Sequence, residues 1–145
     1  MTEKNTFEFS SIDRFEFSIS DGKTLHGRVH YAVSQQSGVY QVMIKRLNKD
    51  SETFSVDDHF IQRLSSVLKD NQVERWDGFY CTDDTAVDGC DFYLSVSNES
   101  GTFFALGYEM WPPNYDIVKY HLDTLFMSLY EKTTKKIDVK KSQNF

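Results

Sequence analysis

The stretch Asp88-Gly-Cys-Asp-Phe-Tyr-Leu-Ser-Val-Ser-Asn-Glu-Ser-Gly-Thr-Phe-Phe-Ala-Leu-Gly-Tyr-Glu-Met-Trp-Pro-Pro-Asn114 decides how the chain is read. Asp88-Gly89 is a turn signal. Phe92, Leu94 and Val96 then alternate with Tyr93, Ser95 and Ser97, which is the period of a half-buried strand. Asn98-Glu-Ser-Gly101 reverses the chain. Phe104, Leu106, Tyr108 and Met110 alternate with Phe103, Ala105, Gly107 and Glu109 on the way back. Pro112-Pro113 lacks two ladder donors and stops the strand. Asn114 is placed to cap a helix that opens at Tyr115. In that helix Val118, Leu122, Leu125 and Leu129 form one stripe, which Ile117 and Phe126 widen.

Upstream, the same grammar recurs. Phe15, Phe17 and Ile19 alternate with Arg14, Glu16 and Ser18. Asp21-Gly22 is a hairpin signal. A strand from about Thr24 to Ser34, a Ser37-Gly38 turn and a returning strand from Val39 to Leu47 follow. Residues 48–53 read as a polar loop. Ser55 reads as the N-cap of an amphipathic helix over 56–69, with Asp57 and Asp58 in its first turn, where the helix dipole favours negative charge. Trp76–Cys81 reads as a short strand broken at Asp77-Gly78. The order strand, turn, strand, helix thus occurs twice. An ancestral duplication produces that order, and so does the ordinary use of hairpins in antiparallel α+β domains.

The expectation is one α+β domain over residues 1–131. An antiparallel sheet of five to six strands, in two strand–strand–helix units, carries two helices on one face. A Lys-rich, mobile tail follows over 132–145. Length supports this: 145 residues is the size of one domain and buries roughly two thirds of its unfolded surface. Twelve Phe, eight Tyr and two Trp favour strands and a bulky core.

Charge narrows the partners. The net charge is −6. Glu131–Phe145 holds five Lys, one Glu and one Asp, a net of +3, so residues 1–130 carry −9. Such a body does not suit nucleic acid, where clustered Lys and Arg must neutralise phosphate. It suits a basic protein. No apolar run is long enough for a membrane helix. The polar start Met1–Thr6 has no secretory h-region, and two cysteines are few for a disulfide-stabilised secreted domain. Both point to the cytoplasm.

Chemistry-bearing motifs are weak. His26 and His30 share a strand face but lie about 13 Å apart, too far to ligate one metal. Aligned on Asp84, the loop Asp83–Asp91 supplies positions 1 and 5 and the glycine of a calcium loop. It fails at position 3, Ala86, and at position 12, Ser95. Cys81 and Cys90 flank that loop and are expected as free thiols. Nothing matches a phosphate loop, a nucleophile elbow or a zinc-protease helix. No catalytic residue, cofactor or metal is therefore assigned. The candidate binding residues are Trp76, Asp77, Tyr80, Asp88, Tyr108 and Trp111, because aromatic side chains beside carboxylates carry interface energy.

Trp76-Asp-Gly-Phe79, Asp88-Gly89, Phe92-Tyr-Leu-Ser-Val96, Gly107 and Trp111-Pro112, leading into the last helix, resemble a family of small α+β proteins of Gram-positive and gut bacteria, of unknown function. The resemblance covers about residues 76–130, and Phe92 stands where that family carries a tryptophan. It implies a fold and carries over no functional residue. The sequence therefore points to a non-catalytic, acidic, cytoplasmic protein-interaction module. One concrete version is an immunity-type role against a basic toxin, and a homodimer built on an open sheet face is another form. The alternative is a small-molecule binder or enzyme, with its pocket between the 91–110 hairpin and the C-terminal helix.

Overall fold

The computed structural model describes residues 11–20, 28–47, 49–83, 85 and 89–143, with side chains as far as Glu131. Seven strands form one sheet: β1 (Arg14–Ser20), β2 (Arg28–Gln36), β3 (Val39–Lys45), β4 (Glu52–Val56), β5 (Tyr80–Thr82), β6 (Asp91–Asn98) and β7 (Gly101–Tyr108). Two helices accompany them, α1 (Asp58–Asp70) and α2 (Tyr115–Gln143). The sheet order is β4-β3-β2-β1-β6-β7-β5. Strand β1 is the spine. Phe17 pairs with Tyr31 of β2 on one side and with Leu94 of β6 on the other, both antiparallel. Each neighbour then continues outward as a hairpin, β2–β3 and β6–β7. Strand β5 joins β7 in parallel at one edge.

The hairpins follow from their turn residues. Gln36 pairs with Val39, leaving a two-residue loop of Ser37 and Gly38 with φ of 53° and 79°. Two positive φ values define the type I′ turn, whose twist matches the flanking strands, and glycine enters that region without a Cβ penalty. In β6–β7, Asn98 pairs with Gly101 and its carboxamide oxygen accepts from the Ser100 N–H at 2.8 Å. That side-chain bond closes the turn where the backbone ladder cannot.

Among the described residues, one face of the sheet is covered and the other is not. Phe15, Phe17, Tyr31, Val33, Val42, Ile44, Phe92, Leu94 and Val96 all point to the helix side and are buried. Phe126 of α2 ties the layers together. Its ring stacks on Tyr31 at 4.5 Å, lies 5.9 Å from Phe15 and meets Phe60 of α1 edge-on at 5.3 Å. A hydrogen bond of 2.6 Å from the Tyr31 hydroxyl to Asp123 pins β2 to α2. Burial, and then this bond, push the Tyr31 phenol well above its ordinary range.

Several sequence expectations need correction. The sheet has seven strands among the described residues, not five or six. The additional edge strand β4 occupies Glu52–Val56, in place of the end of the predicted loop and the start of the predicted helix. Phe54 pairs with Val42, and Val56 with Tyr40. β-Branched and aromatic residues at Thr53, Phe54 and Val56 favour the pleated ladder over a helical first turn. The N-cap is accordingly Asp57, not Ser55: its carboxylate accepts from the Phe60 N–H at 3.2 Å. Trp76 closes a 3₁₀ turn, Val73–Trp76, and β5 begins only at Tyr80. The α2 stripe is buried at Val118, Leu122, Leu125, Phe126 and Leu129, but Ile117 faces solvent. The backbone of α2 is helical as far as Gln143. Asp21-Gly22 and His26 lie outside the described residues, as do Asp84, Ala86, Val87 and Asp88 of the acidic loop.

Candidate interaction surface

The six predicted binding residues do not converge on one site. Trp76 is a core residue, 3% exposed. Its indole N–H donates to the Pro113 carbonyl at 3.0 Å, and its ring lies 6.0 Å from both Phe92 and Tyr115. A buried indole needs one acceptor, and the proline corner supplies it. Trp111 is on the same side of the sheet and 40% exposed, with its ring 4.7 Å from Tyr115 and 5.7 Å from Phe92. These rings fill the region between the β6–β7 hairpin and α2. Burial drives the Tyr115 phenol above its ordinary range, with Asp123 and Asp116 adding to the effect.

Tyr80 and Tyr108 project from the opposite, uncovered face. Tyr80 is 50% exposed. The Tyr108 hydroxyl accepts from the Gly89 N–H at 3.0 Å. Asp77 sits at the sheet edge, where its carboxylate accepts from the Phe104 N–H at 3.3 Å. It thereby continues the ladder of β7 beyond the three residues of β5. Asp88 is among the residues not described.

The uncovered face does assemble a different group, which spacing alone missed. The β5–β7–β6 register sets Tyr80 opposite Leu106, and Leu106 opposite Tyr93. Phe104 packs edge-on against Tyr80 at 4.9 Å and lies 5.9 Å from Tyr93. Leu106, at the middle of this stripe, is 37% exposed. Carboxylates bracket it. Asp77 is bonded at the Phe104 end, while Asp83, Asp91 and Glu109 gather at the Tyr108 end. The Asp83 N–H donates to the Tyr108 carbonyl at 3.0 Å, Asp91 pairs with Tyr108 across the ladder, and the Glu109 carboxylate accepts from the Cys90 N–H. The Thr85 hydroxyl and N–H both donate to Asp83, and these bonds lower its pKa. A carboxylate satisfied in this way is a fixed negative charge at neutral pH.

Towards the centre of the sheet the same face turns polar. Arg28 donates to Ser18 at 2.6 Å and to Asp91 at 2.5 Å, bridging β2, β1 and β6. Glu16 and His30 approach to 3.5 Å. These pairs are partly solvated, so each contributes only about 0–1 kcal/mol and mainly fixes side-chain positions. Lys45 is opposite His30 on this face, but Arg46 turns away and lies over the Tyr130 ring of α2 at 4.1 Å. Beyond them, a shallow concavity of about 490 Å³ is lined by Ala32, Ser34, Gln41, Met43 and Thr53.

Cys81 and Cys90 form no disulfide. Strand β7 lies between β5 and β6, so the two cysteines are separated by two ladder spacings, about 10 Å. That exceeds the Cα reach of a disulfide, roughly 7 Å. Among the described residues no three His, Cys, Asp or Glu side chains group as a metal site, and no helix is long and apolar enough to cross a membrane. Comparison of the chain with models of known protein families gives no match, and comparison with curated proteins gives none.

Proposed function

We propose that this protein is an acidic, cytoplasmic protein-interaction module that binds a basic partner through the β5–β7–β6 end of its uncovered sheet face. One observation carries the reading: exposed Tyr80 and Leu106 and half-buried Phe104 and Tyr93 form a contiguous stripe on the uncovered face, bracketed by carboxylates. Isolated apolar residues on a surface are ordinary, whereas a contiguous aromatic patch with a polar rim is the usual form of a contact site. Tyrosine anchors such sites because its rigid ring buries area at small entropic loss while its hydroxyl still finds a partner. The rim selects the partner's sign. Asp77, Asp83 and Glu109 steer and orient a cationic surface, and the −9 body adds long-range attraction. Neutralisation of a basic toxin is one concrete form of this role.

The test uses Tyr80→Ser/Leu106→Ser, which removes the anchors and leaves the buried face intact. Wild type and variant are immobilised and exposed to the soluble proteins of the source cell at low and high salt. The reading expects a cationic partner that wild type retains at low salt, and that either high salt or the double substitution releases. Retention insensitive to both overturns it. A self-associating wild type, seen by sedimentation as a dimer that the double substitution dissolves, would move the surface from partner binding to homodimerisation.

A further inference from the structure

On the far side of the molecule, the crease between α1 and α2 opens into a groove of about 410 Å³. That volume lies within the range of small-molecule sites, about 300–1,000 Å³. Helix α1 contributes His59, Arg63 and Ser66, at three- and four-residue steps that place them on one helical face. Helix α2 contributes His121 across the crease, and Val67 and Leu125 supply an apolar floor. The sequence gives no hint of this meeting, because His59 and His121 lie on different helices with no shared motif.

The lining holds several donors, Arg63, the two imidazoles, Ser66 and the Gln62 carboxamide, whose oxygen also accepts, and no carboxylate. Arg63 forms none of the ion pairs among the described residues. Each imidazole offers one N–H when neutral and two when protonated, and Ser66 adds a hydroxyl. The Thr124 hydroxyl, also in the groove, is already committed to the Tyr120 carbonyl at 2.9 Å. Two facing histidines alone would also suit a transition metal. The Arg63 charge beside them opposes a cation and favours an oxyanion, which guanidinium binds through two parallel N–H bonds.

We infer that the α1–α2 groove binds a small organic phosphate, with the phosphate held by Arg63, His59 and His121 and the organic part resting on Val67 and Leu125. The groove is lined by one permanent cation, Arg63, with the imidazoles of His59 and His121 beside it. The nearest carboxylates along the helices are already engaged or lie outside the lining. Asp57 caps α1, and Asp123 is held by Tyr31 and by Lys119 at 2.8 Å. Asp58 adjoins His59 in sequence without lining the groove.

The experiment is a backbone-amide NMR titration of the full chain with phenyl phosphate, with inorganic phosphate as the head group alone and nickel chloride as the competing cation. Saturable shifts confined to residues around 59–67 and 121–125, tighter for phenyl phosphate than for inorganic phosphate, are expected. Arg63→Gln should weaken binding about tenfold or more, the loss for a charged hydrogen-bonding partner. His59→Ala/His121→Ala should likewise weaken binding, because both imidazole donors are lost from the groove. All three side chains are exposed, so the urea midpoints of the variants should match wild type, which separates lost binding from lost folding. The inference is overturned by an absence of saturable shifts, by affinity indifferent to Arg63→Gln, or by nickel binding in the groove where phosphate does not.

Discussion

Gly107→Ala is the sharpest test of how the core is closed. Gly107 is not at positive φ, so alanine brings no left-handed strain there. The obstacle is space. An added Cβ would overlap the Met110 carbonyl oxygen and stand 2.6 Å from Cε1 of Phe92. Neither neighbour yields easily. Met110 presents backbone, fixed by the reversal at Glu109, whose φ is 53°. Phe92 is fully buried and enclosed by Trp76, Phe79, Trp111 and Tyr115, with ring centroids between 4.9 and 6.2 Å away. Overpacking of a filled core costs about 1–3 kcal/mol, and two unyielding neighbours put this site near the upper end. Gly38→Ala is the control. It has open space but a φ of 79°, so it carries only the left-handed penalty, about 1–2 kcal/mol. With a urea m-value of about 1–3 kcal/mol/M, the Gly107 variant should lose roughly 1–2 M in midpoint and the Gly38 variant less. Urea unfolding followed by tryptophan fluorescence and far-ultraviolet circular dichroism measures both. A Gly107→Ala midpoint equal to or above that of Gly38→Ala would refute the packing described around Phe92.

Asp57→Ala should destabilise the fold by about 1 kcal/mol while Ser55→Ala leaves it nearly unchanged, because Asp57 carries the α1 cap; thermal melts of the two variants decide it. Trp111→Phe should leave blue-shifted emission that resists acrylamide quenching, since Trp76 is the other tryptophan and is buried against Pro113. Tyr31→Phe should lose about 1.5 kcal/mol at neutral pH, the low end for a hydrogen bond to a charged group, as Lys119 still holds Asp123. Tyr31 also sets a pH dependence. Its folded pKa is raised above the ordinary 10.0, so its contribution is complete below pH 10 and declines as pH climbs beyond that, where the unfolded phenol ionises first. Urea midpoints on either side of pH 10 should therefore fall less steeply in Tyr31→Phe than in wild type.

The features that were legible in the sequence are those in which one residue type meets a local demand. Ser37-Gly38 is such a case, because a two-residue hairpin needs positive φ at both positions. The α2 stripe is another, since five of its members are buried as spaced. What escaped was decided by partners distant along the chain. Strand β4 is five residues of mixed polarity, and it becomes a strand only because β3 offers a free edge. Strand β5 is three residues and likewise depends on β7. Trp76 beside Asp77 has the look of a surface pair. The acceptor that permits its burial, the Pro113 carbonyl, is 37 residues away. The α1–α2 groove also depends on packing, as no sequence spacing joins His59 to His121.

The exposed stripe itself follows from how β7 is packed. Both faces of β7 are apolar in sequence, so alternation leaves open which one turns inward. The enclosed rings of Phe92, Trp76 and Tyr115 leave little room beneath the strand, and the smaller set, Ala105 and Gly107, goes there alongside Phe103. The bulkier set, Phe104, Leu106 and Tyr108, is thereby forced outward. Solvent-facing positions place little packing demand on residue size, and the same face carries polar side chains at Ser95 and Ser97. Nothing in the core requires an aromatic at Tyr80 or Tyr93, or a leucine at 106. Three neighbouring strands nonetheless place large apolar groups at matching register on the one face that no helix covers, with acidic side chains at both ends. Cross-strand ring contacts such as Phe104 with Tyr80 and Tyr93 add to sheet stability; under the proposed function, the same register would also seat a basic, apolar-centred surface.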